Sequence, residues 1–392
     1  MRSEVGRASG PSSLGDGVAD LVAAMCPPER ARGIVESEGG VDPTLWAALS
    51  DRGLLGLVVP GELGGPGRDL HSLAAVQVEL GRTLVPVPFM ATAVLASEAL
   101  LKADDVRVSS RLLPLLAAGR TTATLAFAGE VLTSEGDWAP APVAATQDGD
   151  RWALEGRAHF VLDGMNANVV LVVADSQQGP SLYIVEGDGA RQIRRSPLHV
   201  ADRTRRLADL EFRSVAAQPV GVPGQGRHIL DAALDLAALA LAAEHVGGML
   251  AVLETAVGHA CEREQFGRPV GTFQAVQTLC VDTLIDLEVA RVALDHAVRC
   301  MQDGRDHTTG DADNGPTAVA LAAACCAEAY SRCAARAAQV QGGSGFLWTG
   351  SAHLHIRRAS AGVRLFGTPA KWRARATAGG RSLPISADHV GA

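Results

Sequence analysis

The stretch HACEREQFGRPVGTFQAVQ, residues 259–277, decides how the rest of the chain is organised. A helical run ends near Arg263, residues 266–269 turn the chain, and a second long helix opens at Gln274. Arg263 and Arg268 bracket the ring of Phe266 at this corner. Because arginine binds phosphate bidentately and aromatic rings stack on bases, the corner suits a ligand that contains both groups. The alternative is a helix C-terminus whose arginines interact favourably with the helix dipole.

The segments on either side of this corner predict an α+β fold. Residues 226–260, 272–303, 314–341 and 350–364 are rich in Ala and Leu, which favours a C-terminal four-helix bundle. Short β-rich runs between residues 122 and 212 predict a central antiparallel β-barrel or sandwich. Residues 16–119 have helical periodicity, with one helix start at Asp42-Pro43. The predicted domains are a disordered tail (1–15), an N-terminal α-helical domain (16–119), a middle β domain (120–223) and the helical bundle (224–392).

Composition narrows the class of protein. The net charge of −8 argues against a nucleic-acid partner, which would favour a basic face. No stretch reaches 18 uncharged apolar residues, and the apolar run at residues 236–243 is flanked by Asp235 and Glu244, so we expect no membrane span. The seven cysteines form no CxxC pair and are expected to be free thiols, which predicts a cytoplasmic protein. His353 and His355, two residues apart on a helix, face different ways, so no metal site is expected.

A second stretch, QVQGGSGF at residues 339–346, places three glycines after a helix. Glycines there cap the helix, and they also expose backbone N–H groups that a phosphate could meet. Together, REQFGRPVGTFQAVQ (263–277) and AAQVQGGSGFLWTGSAHLHIRRA (337–359) resemble two signatures of the acyl-CoA dehydrogenase family. The N-terminal stretch LWAALSDRGLLGLVVPGELGGPG (45–67) and the α–β–α order agree, and the resemblance covers residues 18–375.

The resemblance implies an FAD-dependent oxidoreductase of lipid metabolism. In this family FAD accepts a hydride from the β-carbon of an acyl-CoA thioester while a glutamate removes the α-proton, giving a trans-2-enoyl-CoA. FAD lies across a dimer interface, and one subunit's bundle holds the pyrophosphate and adenosine side of its neighbour's FAD. The residues implied for that role match the family pattern throughout: Arg263, Phe266, Gln274, Gln339, Gly342 and Gly343.

The residues that a subunit supplies to its own active site depart from the family pattern. The usual base position falls in AGVRLFG (361–367) and is Phe366. The alternative base position and its following arginine correspond to Ala237 and Ala238. The family's Trp-Ile-Thr-Asn segment, which faces the flavin ring, corresponds to residues 160–163, where Leu162 cannot donate the threonine hydrogen bond. The loop FAGEVLTSEGDW (127–138) also differs from the family's flavin loop.

Three interpretations are compatible with these departures. The first is the base-less subunit of a heteromeric, actinobacterial-type acyl-CoA dehydrogenase, which forms a dimer or α2β2 tetramer with a glutamate-bearing homologue. The stretch ADRTRRLADLEF (201–212) resembles that branch. The second is an active homo-oligomer with a displaced base, either Glu244, two helical turns beyond Ala237, or Glu130. The third is a flavin-dependent oxygenase or another non-dehydrogenase role, since flavin monooxygenation on this fold does not need the glutamate.

Overall fold

The computed structural model describes residues 13–25, 28–37, 41–127, 143–149, 151–303, 315–346 and 350–379. The predicted tail therefore lies outside the described residues up to residue 12, and a helix begins at Ser13. Most of the loop at 127–138 and the candidate base Glu130 also lie outside them.

The N-terminal part of the chain is helical. Asp42 caps one of its helices as the sequence predicts, because its carboxylate accepts hydrogen bonds from the backbone N–H groups of Thr44 (2.9 Å) and Leu45 (3.1 Å). A π-helical stretch, Met90–Ala96, runs directly into α5 and is buried throughout. The helices are α1 (Ser13–Met25), α2 (Pro28–Glu36), α3 (Pro43–Asp51), α4 (Leu70–Thr83), α5 (Ser97–Ala103) and α6 (Val106–Ala117).

The middle of the chain forms a β-barrel. Its members are β1 (Ala123–Ala126), β2 (Val143–Asp148), β3 (Arg151–Leu162), β4 (Val169–Ser176), β5 (Gly179–Val185), α7 (Gly187–Gln192), β6 (Arg194–Pro197) and β7 (Leu207–Val220). Strands β4, β2, β3, β7 and β5 pair in a closed ring, with β1 added to β4 and β6 to β7. Most pairs are antiparallel as predicted, but β1 and β2 each pair with β4 in parallel. Tyr183 and Phe212 fill the barrel interior.

Strand β3 is irregular where it approaches the helices. Its register with β7 shifts between Ala158 and Val161, and Phe160 has a φ of +56°. Such a bulge bends a strand and redirects its side chains, often next to a functional site. Phe160 consequently points outward and is 37% exposed, whereas Leu162 is buried. Asp163, which follows the strand, also has a left-handed φ of +53°.

The C-terminal part is the predicted bundle of long helices, followed by one short helix. Its members are α8 (Gly226–Glu262), α9 (Gln274–Asp303), α10 (Gly315–Gln341), α11 (Ala352–Leu365) and α12 (Pro369–Thr377). Helices α8 and α10 are long and apolar enough to cross a membrane. In the fold, however, 94% and 67% of their most apolar windows are buried within the protein, so core packing accounts for their hydropathy. The α+β class with helical, barrel and bundle regions is thus confirmed.

Helices α4 and α8 cross at glycines. A Cβ on Gly81 would lie 2.1 Å from the backbone oxygen of Glu244, and one on Gly247 would lie 1.9 Å from that of Val78. The two backbones therefore touch with no side chain between them. This contact fixes the N-terminal helices and the bundle relative to each other, with Glu244 at the crossing.

Candidate functional site

The corner that the sequence singles out is a hairpin on the surface of the bundle. After α8, Glu264–Gln265 (β8) and Arg268–Pro269 (β9) pair in antiparallel fashion. Phe266 and Gly267 form the turn with φ values of +55° and +76°, the pattern of a type I′ turn. This turn places the side chain of Phe266 in solvent, 92% exposed.

Side chains around the hairpin form an open aromatic and cationic surface. The ring of Phe273 meets that of Phe266 edge-on, with centroids 6.2 Å apart, and the guanidinium of Arg268 lies 4.3 Å from the Phe273 centroid. Arg263 and Arg268 are exposed and make no ion pair with any acid that the structure describes. Phe273 did not figure in the sequence prediction, although it is an aromatic residue inside the same signature.

The glycine-rich stretch is likewise open. Gln339 lies on the exposed side of α10, and residues 342–346 form a 3-10 turn directly after that helix. Gly342 and Gly343 are exposed, and a Cβ on either would meet nothing within 4 Å. The two stretches share no hydrogen bond or ring contact among the described residues; each is held by its own helix of the bundle. All six residues predicted to contact FAD, Gln274 included, are exposed in the single subunit.

A second cluster is buried where barrel, bundle and N-terminal helices meet. The carboxylate of Glu244 accepts hydrogen bonds from Arg205 at 2.6 Å and from Arg358 at 2.9 Å. Arg358 also pairs with Asp202 at 3.0 Å and donates to the hydroxyl and backbone oxygens of Thr204 at 2.7 and 2.9 Å. Each of these side chains is buried. The cluster ties α8 and α11 to the segment that precedes β7.

The electrostatics of the cluster keep Glu244 ionised. Burial alone would raise the pKa of its carboxyl, but Arg205 and Arg358 outweigh burial and hold the pKa at about 2. A carboxylate so strongly stabilised is a weak proton acceptor, since an effective general base has a pKa near the working pH. The geometry therefore suits Glu244 to an ion-pair role better than to that of a displaced base.

A cavity of about 30 Å³ adjoins the cluster. Its lining includes residues 85–87, Phe89, Met90, Leu162, Asp163, Arg205 and Glu244. That volume is enough for one or two water molecules. Burial raises the pKa of Asp163 to about 7, although Arg205, Arg358 and Arg206 oppose the change. Among the described residues the Asp163 carboxylate has no hydrogen-bond or ion-pair partner.

The two positions at which the family resemblance places a base lie in the core. Phe366 follows α11 and is 4% exposed, packed with Trp372 and His245 around a small void. Ala237 and Ala238 are buried within α8. Burial lowers the pKa of His245 to about 4, so its imidazole is neutral at physiological pH. His355 is also buried and is hydrogen bonded to the hydroxyl of Tyr330 at 2.7 Å.

Sequence reasoning missed Arg205, Arg358 and Asp163 as neighbours of Glu244. One signal was available, because Glu244 interrupts the apolar run of α8 and a buried carboxylate needs a cationic partner. Within the described residues, no group of three or more His, Cys, Asp or Glu side chains is placed to hold a metal ion.

Family profiles agree with this arrangement. Residues 224–370 match the acyl-CoA dehydrogenase C-terminal domain, and residues 12–120 match the acyl-CoA dehydrogenase N-terminal domain. The chain belongs to the acyl-CoA dehydrogenase family.

Its relatives include actinobacterial members of the family. The chain is 34% identical over 343 residues to the acyl-CoA dehydrogenase FadE34 of Mycobacterium tuberculosis, a match that covers 87% of this chain but only 43% of that protein. It is 30% identical over 359 residues to the acyl-CoA dehydrogenase IpdE2 of Mycolicibacterium smegmatis, covering 91% of this chain and 94% of the relative.

Among solved structures, a chain of the ChsE4-ChsE5 complex from Mycobacterium tuberculosis superposes with a TM-score of 0.83 at 27% identity, covering 95% of this chain and 97% of that one. The Tcur3481-Tcur3483 steroid ACAD gives a TM-score of 0.82 at 29% identity, with 94% and 96% of the two chains covered.

Proposed function

We propose that this chain is a subunit of an FAD-dependent acyl-CoA dehydrogenase that completes the FAD site of a glutamate-bearing partner. The observation that carries the proposal is a contrast within one subunit. The six residues that match the family's contribution to a neighbouring FAD are open to solvent, whereas the positions of the subunit's own base are packed in the core.

The exposed residues on the bundle suit the pyrophosphate and adenosine parts of FAD. Arg263 and Arg268 offer cationic N–H donors that no described acid occupies, which suits phosphate oxygens. The exposed ring of Phe266 offers a stacking surface for a base. Gly342 and Gly343 leave their backbone open to close approach by a phosphate. FAD, when bound, would accept the hydride from the acyl-CoA β-carbon.

The residues at the subunit's own base positions favour a catalytic base that is supplied by another subunit. Phe366 has no proton to exchange, and the carboxylate of Glu244 is committed to two arginines. Leu162 offers a hydrocarbon side chain where the resemblance implies a hydroxyl donor to the flavin. Proton abstraction is therefore assigned to the partner's active site, and the partner's FAD receives Arg263 and Phe266 from this chain.

The relatives support a two-protein assembly. Both similar solved structures carry two protein names, and one of them is described as a steroid ACAD. An acyl-CoA thioester with a bulky, steroid-like acyl group is accordingly the substrate class we propose to test first. The described cysteines are free thiols, which favours a reducing cytoplasm as the site of action.

Flavin retention tests the shared site. Co-expression with a glutamate-bearing homologue should give a yellow complex, and Arg263→Ala should weaken its hold on FAD by about 10–100-fold, the effect of losing one charge-assisted contact. Arg191→Ala, which removes a similarly exposed arginine from α7, is the matched control and should keep full flavin. Unchanged FAD content in Arg263→Ala would contradict the shared site.

Activity of the separate chain tests the assignment of the base. The chain alone should show no acyl-CoA-dependent reduction of an electron acceptor, and the complex should show it. Robust turnover by the chain alone would overturn the base-less assignment and would direct attention to a carboxyl group of this subunit.

A further inference from the structure

The cavity beside the buried cluster has an excess of cationic side chains in its lining. The charged residues that line it are Arg205, Arg206, Arg358, Glu244 and Asp163. Glu244 accepts hydrogen bonds from Arg205 and Arg358. Asp202, which lies behind the lining, pairs with Arg358 at 3.0 Å. Arg206 makes no ion pair with any acid that the structure describes, so two paired carboxylates face three guanidinium groups.

Asp163 could supply the missing negative charge only by ionising inside the protein. Burial raises the pKa of its carboxyl group to about 7, although the three arginines oppose the change. Burial also lowers the pKa of His245 to about 4, so its imidazole adds no charge. Arg203, which helps to lower the pKa of Arg206, is exposed and does not line the cavity. While Asp163 is protonated, the lining and Asp202 therefore carry one excess positive charge.

Two arginine donors beside the cavity have no partner in the described part of the chain. The Nε–H groups of Arg205 and Arg206 are both buried and both unpaired. The other donors are in use, since Arg205 bonds to Glu244 at 2.6 Å and Arg206 donates to the backbone oxygen of Val35 at 3.0 Å. Arg205 is 7% exposed. A buried donor without an acceptor destabilises the fold, and a bound acceptor would recover that loss.

These features together define the chemistry of a ligand. We propose that the cavity binds one chloride-sized monovalent anion between Arg205, Arg206 and Asp163. One negative charge would balance the one excess positive charge, and the unpaired N–H groups require an acceptor. A volume that holds one or two water molecules also holds a halide ion of comparable size. The site uses none of the six residues predicted to contact FAD, so the proposal stands apart from the shared flavin site.

Binding of an anion here is linked to the protonation of Asp163. A protonated carboxyl group can donate its O–H to the anion, whereas an ionised carboxylate would repel it. Binding should therefore take up a proton near pH 7. If the ionised form does not bind, the apparent affinity for the anion should be about tenfold lower at pH 8 than at pH 6.

Urea unfolding of the full chain tests the site, with sodium chloride exchanged for sodium gluconate at constant ionic strength. Once chloride exceeds its dissociation constant at pH 6, the folding equilibrium constant should rise about tenfold for each tenfold increase in chloride. Arg206→Gln should abolish this dependence. Arg203→Gln removes the exposed neighbouring arginine and should keep it. A wild-type chain that is equally stable in both salts would overturn the proposal, as would full chloride dependence in Arg206→Gln.

The role of Asp163 is tested by a variant that cannot ionise. Asp163→Asn retains an N–H donor, so chloride should still stabilise the variant. Its chloride affinity should be the same at pH 6 and pH 8, whereas that of wild type should fall about tenfold. An affinity that falls equally in both proteins would assign the titration to another group and would contradict the site.

Bromide locates the ion directly, even if a variant folds poorly. A crystal of the full chain soaked in sodium bromide at pH 6 should give an anomalous peak within hydrogen-bonding distance of Nε of Arg205 and of Arg206. Water alone at that position would refute anion binding.

Discussion

Replacing Glu244 by glutamine should strongly destabilise the fold. The change keeps the shape of the side chain but removes the charge that faces Arg205 and Arg358. The two guanidinium groups would then remain buried without an anion between them. Breaking one side of a buried ion pair costs about 3–5 kcal/mol, because the remaining charge is left uncompensated.

The pKa of Glu244 gives an independent estimate of the same free energy. Folding lowers this pKa from 4.5 to about 2. At about 1.4 kcal/mol for each pKa unit, the ionised carboxylate contributes about 3 kcal/mol at neutral pH. Since the folded-state pKa lies below the unfolded-state value, this stabilisation is fully present above pH 4.5 and is lost as the pH falls towards 2.

Urea unfolding of wild type and Glu244→Gln between pH 4 and pH 8 measures both effects. Between pH 5 and pH 8, the free energy of unfolding of Glu244→Gln should be about 3–5 kcal/mol lower than that of wild type. This difference between the two proteins should narrow below pH 4.5. Glu254→Gln is the control, because Glu254 lies on the same helix and pairs with Arg82 at 2.8 Å but is 47% exposed; its loss should cost less than about 1 kcal/mol. If Glu244→Gln is as stable as that control, the buried cluster does not stabilise the fold as argued. A stable variant that has lost acyl-CoA oxidation would instead favour Glu244 as a displaced base.

Other substitutions test neighbouring parts of the structure. Phe366→Glu should not create dehydrogenase activity in the chain alone and should lower the free energy of unfolding by several kcal/mol, because it buries a carboxyl group in an apolar core; a stable, active variant would contradict this. Burial raises the folded-state pKa of Asp163 from 3.8 to about 7, so wild type loses stability as the pH rises from 4 to 7 and the buried carboxyl group must ionise. Asp163→Asn lacks this group and should gain stability relative to wild type over the same range. A difference in urea midpoint that does not depend on pH would refute this. Gly247→Ala should destabilise the fold by about 1–3 kcal/mol by forcing α4 away from α8, whereas Gly258→Ala on the same helix meets nothing within 4 Å and should be neutral or stabilising in thermal unfolding.

Much of the fold could be predicted from local pattern. The helical segments predicted at 226–260 and 272–303 correspond to α8 (Gly226–Glu262) and α9 (Gln274–Asp303), because Ala- and Leu-rich periodicity is a strong signal over such lengths. Strand pairing was harder to predict. The short β-rich runs predicted between residues 122 and 212 include two, beginning at Trp152 and His159, that form the single bulged strand β3, since a bulge interrupts alternation without ending a strand.

The residues of the candidate site also differ in how far the sequence alone could predict them. Arg263, Phe266 and Gly342 lie within short contiguous signatures, so sequence alone could propose them as candidates. Arg358 is 114 residues from Glu244, and Arg205 is 39 residues from it. Only the crossing of barrel and bundle brings those three charges together, and no local pattern encodes that crossing.

The packing of Phe366 limits the evolutionary paths open to this chain. The ring is part of the core formed by α8, α10 and α12, so a lineage that gained an acid there would first pass through a poorly folded intermediate. Repacking of Trp372 and its neighbours would have to come before the acid or arrive with it. An acid at position 366 is therefore difficult to introduce into this fold by a single substitution.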